Sequence, residues 1–321
     1  MKHPLALVYA SRVSAFAVLM VLALAAAGAP RARAAETPAE ALRFGFFRSL
    51  FRDVRENDMR ASLKVYTGAL ARDLTIHTHP ESLVVSQSAE AEAALRRGGV
   101  DLLSGTAEEI LSLPEELLTG PYLLGVSEGM PGVEYLLLVR RDSGWSRLQE
   151  LGGRSLAIAR TTQHSLALPW LDTLAHAECG AAPGRFFGAI QESAKPAQAV
   201  LRVFFRQAEA GVVTRAGFGL MAELNPQLAK ELVVLTASPR LVPAFAVFRA
   251  GFDPAVRRKI AASMSGLADT PAGRQVLTLF QAVRIMAATE EDLVRTRQLL
   301  TDHSRLPGSA ALPIARVSAS P

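Results

Sequence analysis

Thr161, Thr162 and Ser165 set three hydroxyls within five residues, directly after the apolar run Ser155 to Ala159 and at the start of the amphipathic stretch Ser165 to Ala177. A strand entering a helix through such a turn gathers hydroxyls, unpaired first-turn N–H groups and the positive end of the helix dipole at one point. Two chemistries fit. A threonine caps the helix, as threonine does routinely, or the donors hold an oxyanion. Gln163 and His164 belong to the same turn. Nucleophilic catalysis does not fit: His164 adjoins Ser165, with Asp172 seven residues on, and a base adjacent in sequence cannot readily turn onto its serine. No G-x-S-x-G elbow supports it. His77-Thr78-His79 runs into Pro80 without the further ligands of a closed metal site, and reads as a polar loop. Gly217-Phe218-Gly219 lacks the third glycine of a dinucleotide fingerprint. No catalytic residue, metal or cofactor is expected.

These residues must be positioned by alternating elements. Strands are expected at Leu42 to Phe47, Leu83 to Ser86, Val100 to Leu103, Glu134 to Val139, Ser155 to Ala159, Phe186 to Ile190, Gly211 to Thr214, Val233 to Thr236 and Pro243 to Phe248. Helices are expected at Asp58 to Leu74, Ala89 to Arg97, Ser165 to Ala177, Pro196 to Ala208, Ala216 to Leu224, Pro254 to Leu267 and Glu290 to Leu300. Such alternation predicts an α/β fold with largely parallel sheets. The runs Tyr135 to Trp145 and Leu241 to Phe252 read as passages between two lobes, with a central segment inserted and strand ends pointing into a cleft. The expected division is a leader over 1–34, a first lobe over 35–138 and 243–306, an inserted lobe over 139–242 and a disordered tail over 307–321.

The leader is read from Lys2 and Arg12 ahead of the apolar run Val13 to Ala27, followed by the small-x-small site Ala32-Arg33-Ala34. The run is shorter than the roughly 20 residues of a spanning helix. Cleavage after Ala34 would export the protein, to the periplasm on this reading. It would remove four basic residues and no acidic one, reducing the formal charge from +5 to +1. The basic pI then says nothing of nucleic acid, which is not an expected partner. With Cys179 as the single cysteine, no internal disulfide can form, so the core alone must hold the fold. Cys179 is expected to be a buried, inert thiol, the Phe204-Phe205 pair to be core, and Glu108, Glu109, Glu115 and Glu116 to be solvated helix surface.

The ordered set RFGFFRSLF, NDMRASLKVYTGAL, RRGGVDLLSGT, LLLVRRDSGWSRLQELGGRSLAIA and TTQHSLALPWLDTL, followed by SAKPAQAVLRVFFRQAEAGVVTRAGF and SPRLVPAFAVFR, spans about Leu42 to Leu300. It resembles the phosphate/phosphite/phosphonate substrate-binding proteins of ABC transporters, the PhnD-like branch of the type 2 periplasmic-binding fold. The resemblance implies two lobes, the second inserted into the first, closing over a small oxyanion that is delivered to a permease in the inner membrane. It implies that Thr161, Thr162, Gln163, His164 and Ser165 grip the oxyanion. Phe47, Arg48 and Ser49 would approach from the end of the first strand, and Ser104, Gly105 and Thr106 from the strand after Asp101, Gly105 admitting the ligand close to backbone. Lys195, before the helix opened by Pro196, and Thr214 with Arg215, after the strand GVV, would complete the site.

The sequence departs from the aminoalkylphosphonate binders of that family. Lys195 stands near the expected place of a histidine, and Thr214 and Arg215 stand where an acidic residue would follow. The carboxylates that would hold an ammonium are missing from those places, which favours a plain anion. A monomeric solute-binding protein is expected, with an extracytoplasmic sensor as the alternative and an enzyme on the same fold as the less favoured one.

Overall fold

The computed structural model describes residues 41–51, 55–74, 78–79, 81–127, 130–271, 273–274, 277 and 282–309. The leader, His77 and the tail beyond Ser309 therefore lie outside the described residues.

Strands β1 (Phe44–Phe47), β2 (Leu83–Val85), β3 (Leu102–Thr106) and β4 (Leu118–Val126) begin a first sheet. The chain then builds a second sheet from β5 (Tyr135–Arg140), β6 (Ser155–Ala159), β7 (Ala189–Ser193), β8 (Ala210–Thr214) and β9 (Leu232–Ala237). It returns to the first sheet with β10 (Ala244–Arg249) and β11 (Arg284–Ala288). The strand orders are β11-β4-β10-β3-β1-β2 and β7-β6-β8-β5-β9. Helices α1 (Glu56–Leu74), α2 (Ser88–Arg96), α3 (Ala107–Leu111), α4 (Ala167–Cys179), α5 (Pro196–Phe204), α6 (Arg215–Leu224), α7 (Pro226–Glu231), α8 (Pro254–Ser265) and α9 (Glu290–Ser304) accompany them.

The sheets are mixed, not largely parallel. β1 pairs in parallel with β2 and β3, and β6 with β7 and β8. The other pairings reverse this: β10 runs antiparallel to β3 and β4, β11 to β4, and β5 to β8 and β9. β4 and β11 are absent from the sequence expectation. β4 contains Gly120-Pro121, a pair that ordinarily punctuates loops, and its partner β11 is only five residues long. β7 also begins three residues later than expected, because its pairing opposite β6 starts at Ala189.

Two further expectations fail. α4 runs two residues past Ala177, so Cys179 lies exposed in its last turn instead of buried. Partial burial and the Glu178 charge raise its pKa, which keeps the thiol protonated and so poorly nucleophilic. Phe205 is not core either; it lies past the end of α5 and is exposed.

The two sheets are joined near Val133 and Leu241, which exchange backbone hydrogen bonds of 2.7 and 2.8 Å. Gly132 beside them has φ +78°, and a Cβ there would lie 2.5 Å from the Leu241 carbonyl oxygen, so the crossing requires glycine twice over. Tyr135 to Val139 already pair with β8, which places this crossing ahead of Tyr135. A third link is α9. Its Thr296 hydroxyl accepts from the Val242 N–H at 2.7 Å, and His303 Nε2 lies 3.4 Å from Asp172 Oδ2 on α4.

Candidate ligand site between the two sheets

The parallel strands β6, β7 and β8 end along one edge of the second sheet, and β1 and β3 along one edge of the first. Ends of this kind are where open α/β sheets bind ligands. A cavity of about 160 Å³ lies there. Ser104 and Gly105 from β3 and Ser127 after β4 line it from the first sheet, and Thr162 and Gln163 after β6 from the second. Leu50, Val133, Val242 and Phe245 contribute apolar walls.

The turn after β6 differs from the expected helix start. Residues 162–164 form a short 3-10 turn, and α4 proper begins only at Ala167. An aromatic group holds this turn in place. Tyr135 donates its hydroxyl to the Gln163 carbonyl at 2.7 Å, and its ring lies 6.1 Å from those of both His164 and Trp170. His164 is only 5% exposed and faces this cluster, not the cavity. Its Nδ1 meets the Thr161 hydroxyl at 2.8 Å, while its buried Nε2 has no hydrogen-bond partner among the described residues. Burial pushes the imidazole down to about 4. It is neutral near pH 7 and supplies no charge to an anion.

The structure brings together part of the expected set and leaves the rest outside the cavity, most of them in other contacts. Ser104, Gly105, Thr162 and Gln163 meet at the cavity. Phe47, Arg48, Ser49, Thr106, Thr161, His164, Ser165, Lys195, Thr214 and Arg215 do not line it. Ser49 donates to Glu109 Oε2 at 2.7 Å. Thr106 and Glu109 form the capping box of α3, so Glu109 is a structural partner and not merely solvated surface. Thr214 caps α6 by accepting from the Gly217 N–H. Ser165 donates to the Pro243 carbonyl at 3.3 Å and so ties α4's entry to the strand entering the first sheet. Lys195 is exposed at the start of α5. Arg48 Nη1 rests against Met59 Sδ at 3.3 Å.

Arg215 makes a two-pronged pair with Glu134, at 2.6 and 2.7 Å. The hydrogen-bonded guanidinium holds the Glu134 carboxyl below its usual range, so each group neutralises the other. Gly105 also has a different reason from the expected one: a Cβ there would sit 2.6 Å from the ring of Phe47 and 3.2 Å from Ile110. Its lack of a side chain serves packing, while its backbone borders the cavity.

Ser127 was missed because it follows β4, the strand hidden by Gly120-Pro121. The cavity's polar groups are thus the hydroxyls of Ser104, Ser127 and Thr162 and the amide of Gln163. None of these side chains has a hydrogen-bond partner among the described residues, and no charged side chain among them lines the cavity. Residues that could hold a metal do not cluster there or elsewhere among the described residues.

Two mixed sheets joined by crossing strands, with a cavity lined from both, make a two-lobed α/β protein. The sequence profile of the family described as the periplasmic substrate-binding protein of the ABC phosphonate transporter matches residues 55–293, and the chain belongs to that family, whose members are substrate-binding proteins and not enzymes. A solved structure of XAC2383 from Xanthomonas citri bound to chloride is 19% identical, with a TM-score of 0.59 over 83% of this chain and 98% of that one. PhnD1 from Prochlorococcus marinus in complex with methylphosphonate is 13% identical, with a TM-score of 0.54 over 83% and 99%. A binding protein component of an ABC phosphonate transporter from Pseudomonas aeruginosa is 16% identical, with a TM-score of 0.52 over 83% and 87%. Among functionally curated proteins, none matches the chain. No helix among the described residues is long and apolar enough to cross a membrane.

Proposed function

We propose that the cavity holds a small phosphonate- or phosphate-like oxyanion and that the loaded protein, as a monomer, presents it to an ABC permease, with no role in binding nucleic acid. The observation that carries this reading is the convergence of unpartnered hydroxyls and an amide from both sheets on one cavity. These groups are only partly buried and so open to water, and an oxyanion would engage several of them at once through charge-assisted hydrogen bonds. Contact with both sheets makes the ligand favour the closed arrangement over an open one. The lobes in this reading are the expected ones, with a segment inserted into the first, except that the first boundary, expected at 138, is taken back to the Val133–Leu241 bridge because Tyr135 to Val139 pair with β8.

Ligand at about 100 times its dissociation constant stabilises a fold by roughly 2.7 kcal/mol, and each kcal/mol is worth about 2–4 °C for domains of about 150–250 residues. Thermal melts with phosphate, phosphite, alkylphosphonates, aminoalkylphosphonates, sulfonates and small carboxylates are therefore expected to show a rise of several degrees for at least one phosphorus oxyanion. A flat panel would remove the reading.

Periplasmic delivery is part of the same proposal and rests on the Ala32-Arg33-Ala34 site. Protein recovered from the periplasm is expected to begin at Ala35. Recovery with the leader intact would contradict cleavage.

A further inference from the structure

The turn that presents Thr162 and Gln163 to the cavity has little to hold it by itself. It is a single 3-10 turn, closed by the His164 N–H on the Thr161 carbonyl at 2.9 Å and the Ser165 N–H on the Thr162 carbonyl at 3.2 Å, and no side chain caps it. Such turns have poorer hydrogen-bond geometry than an α-helix. The Thr161 hydroxyl is taken by His164, and Ser165 reaches the Pro243 carbonyl only at 3.3 Å. The short contact from outside the turn is made by Tyr135, whose hydroxyl donates to the Gln163 carbonyl at 2.7 Å.

Tyr135 is itself a fixed post. It is fully buried, opens β5 two residues after the Val133–Leu241 crossing, and stacks its ring on that of Trp170. The other crossing segment holds its backbone: the Tyr135 N–H donates to the Ser238 hydroxyl at 2.8 Å, and its carbonyl accepts from the Ser238 N–H at 2.9 Å. The Ser238 hydroxyl in turn donates to the Pro239 carbonyl at 2.7 Å. Yet Tyr135 does not line the cavity. We infer that Tyr135 is a positioning residue of the ligand site: its hydroxyl fixes the Thr162–Gln163 turn against the strands that join the two sheets, and so sets ligand affinity without touching the ligand. Groups of this kind, locked by packing and by hydrogen bonds behind those that touch a ligand, hold a site to its working geometry. The role rests on the oxyanion reading given above and adds the residue that holds the second sheet's half of the site in place.

Tyr135→Phe keeps the ring and removes only the hydroxyl. Calorimetric titrations of the full mature chain with inorganic phosphate, phosphite and methylphosphonate are expected to show the affinity for the tightest of them lowered about fivefold, the worth of a neutral hydrogen bond. The stoichiometry of the titration reports any unfolded fraction separately from the affinity. The loss is expected to persist on Ser104→Ala, which acts from the other sheet, and to shrink below about twofold on Thr162→Ala, through which the hydroxyl works. In the ligand-free variant, amide hydrogen exchange at His164 and Ser165 is expected to quicken more than at the amides of β5, which a general loss of stability would speed alike. Unaltered affinity in Tyr135→Phe, an equal loss on both backgrounds, or exchange that quickens equally in both places would overturn the positioning role and leave the oxyanion reading standing. Failure of all three anions to bind the unaltered chain would overturn that reading and this role with it.

Discussion

Replacing Asp101 with alanine is expected to lower the stability of the fold by about 3 kcal/mol. Asp101 is 2% exposed and sits just before β3. Its Oδ2 accepts from the Arg43 backbone N–H at 3.0 Å, and its Oδ1 accepts from Arg249 Nη2 at 2.9 Å. Its own backbone continues the ladder on both sides, donating to the Arg43 carbonyl and accepting from the Arg249 N–H. One carboxylate therefore fastens β1, β3 and β10 together, although β10 returns to the sheet only after the whole second sheet has been built. Removing it leaves the Arg43 amide and a largely buried guanidinium without their acceptor, and such losses are far costlier than the net worth of an exposed pair. Denaturant unfolding is expected to show a lower midpoint with an unchanged slope, and thermal unfolding a fall of about 6–12 °C. A loss below about 1 kcal/mol would show that the strands are held without it. Because β3 carries Ser104 and β10 borders the cavity, the variant is also expected to bind ligand less tightly.

Acid is expected to weaken the protein through His164. In the unfolded chain its imidazole titrates near 6.5, and in the fold burial holds it at about 4. Between those values the unfolded state binds the proton and the folded state does not. Stability from this group is therefore intact above about pH 6.5, falls as the pH drops, and levels off below about 4. The difference between pH 7.5 and pH 5 is about 2 kcal/mol, or roughly 4–8 °C of melting temperature. His164→Leu is expected to flatten that part of the pH profile. An unchanged profile in the variant would mean that other groups set the acid sensitivity. The site is involved because His164 belongs to the same turn as Thr162 and Gln163, and a charged imidazole beside Tyr135 and Trp170 would loosen it.

Several features were legible in the sequence for local reasons. Ser155-Leu156-Ala157-Ile158-Ala159 is a buried strand with the expected bounds, and the hydroxyl-rich turn follows it directly. Pro196 opens α5 as its fixed φ favours. The return of the chain from the second sheet to the first was visible in the apolar run around Ala244 to Arg249.

What could not be read was which polar group is already engaged. Thr106 and Thr214 end strands and Thr162 follows one, yet the first two cap helices and only Thr162 is left to the cavity. Arg215 looked like an anion's counter-charge because its partner Glu134 lies 81 residues away in sequence and beside it in space. The neutralisation of that pair, the burial of His164 and the part played by Ser127 all depend on contacts between distant segments, which no local pattern records.

The most direct test of the ligand site is a calorimetric titration of refolded, ligand-stripped protein with methylphosphonate, repeated on Ser104→Ala and on Thr162→Ala. These residues approach the cavity from different sheets, so a ligand held between the sheets must feel both. Saturable binding at a single site is expected, weakened about tenfold or more by each substitution, the size of a hydrogen bond to a charged group. Binding of unaltered strength in both variants would contradict the account.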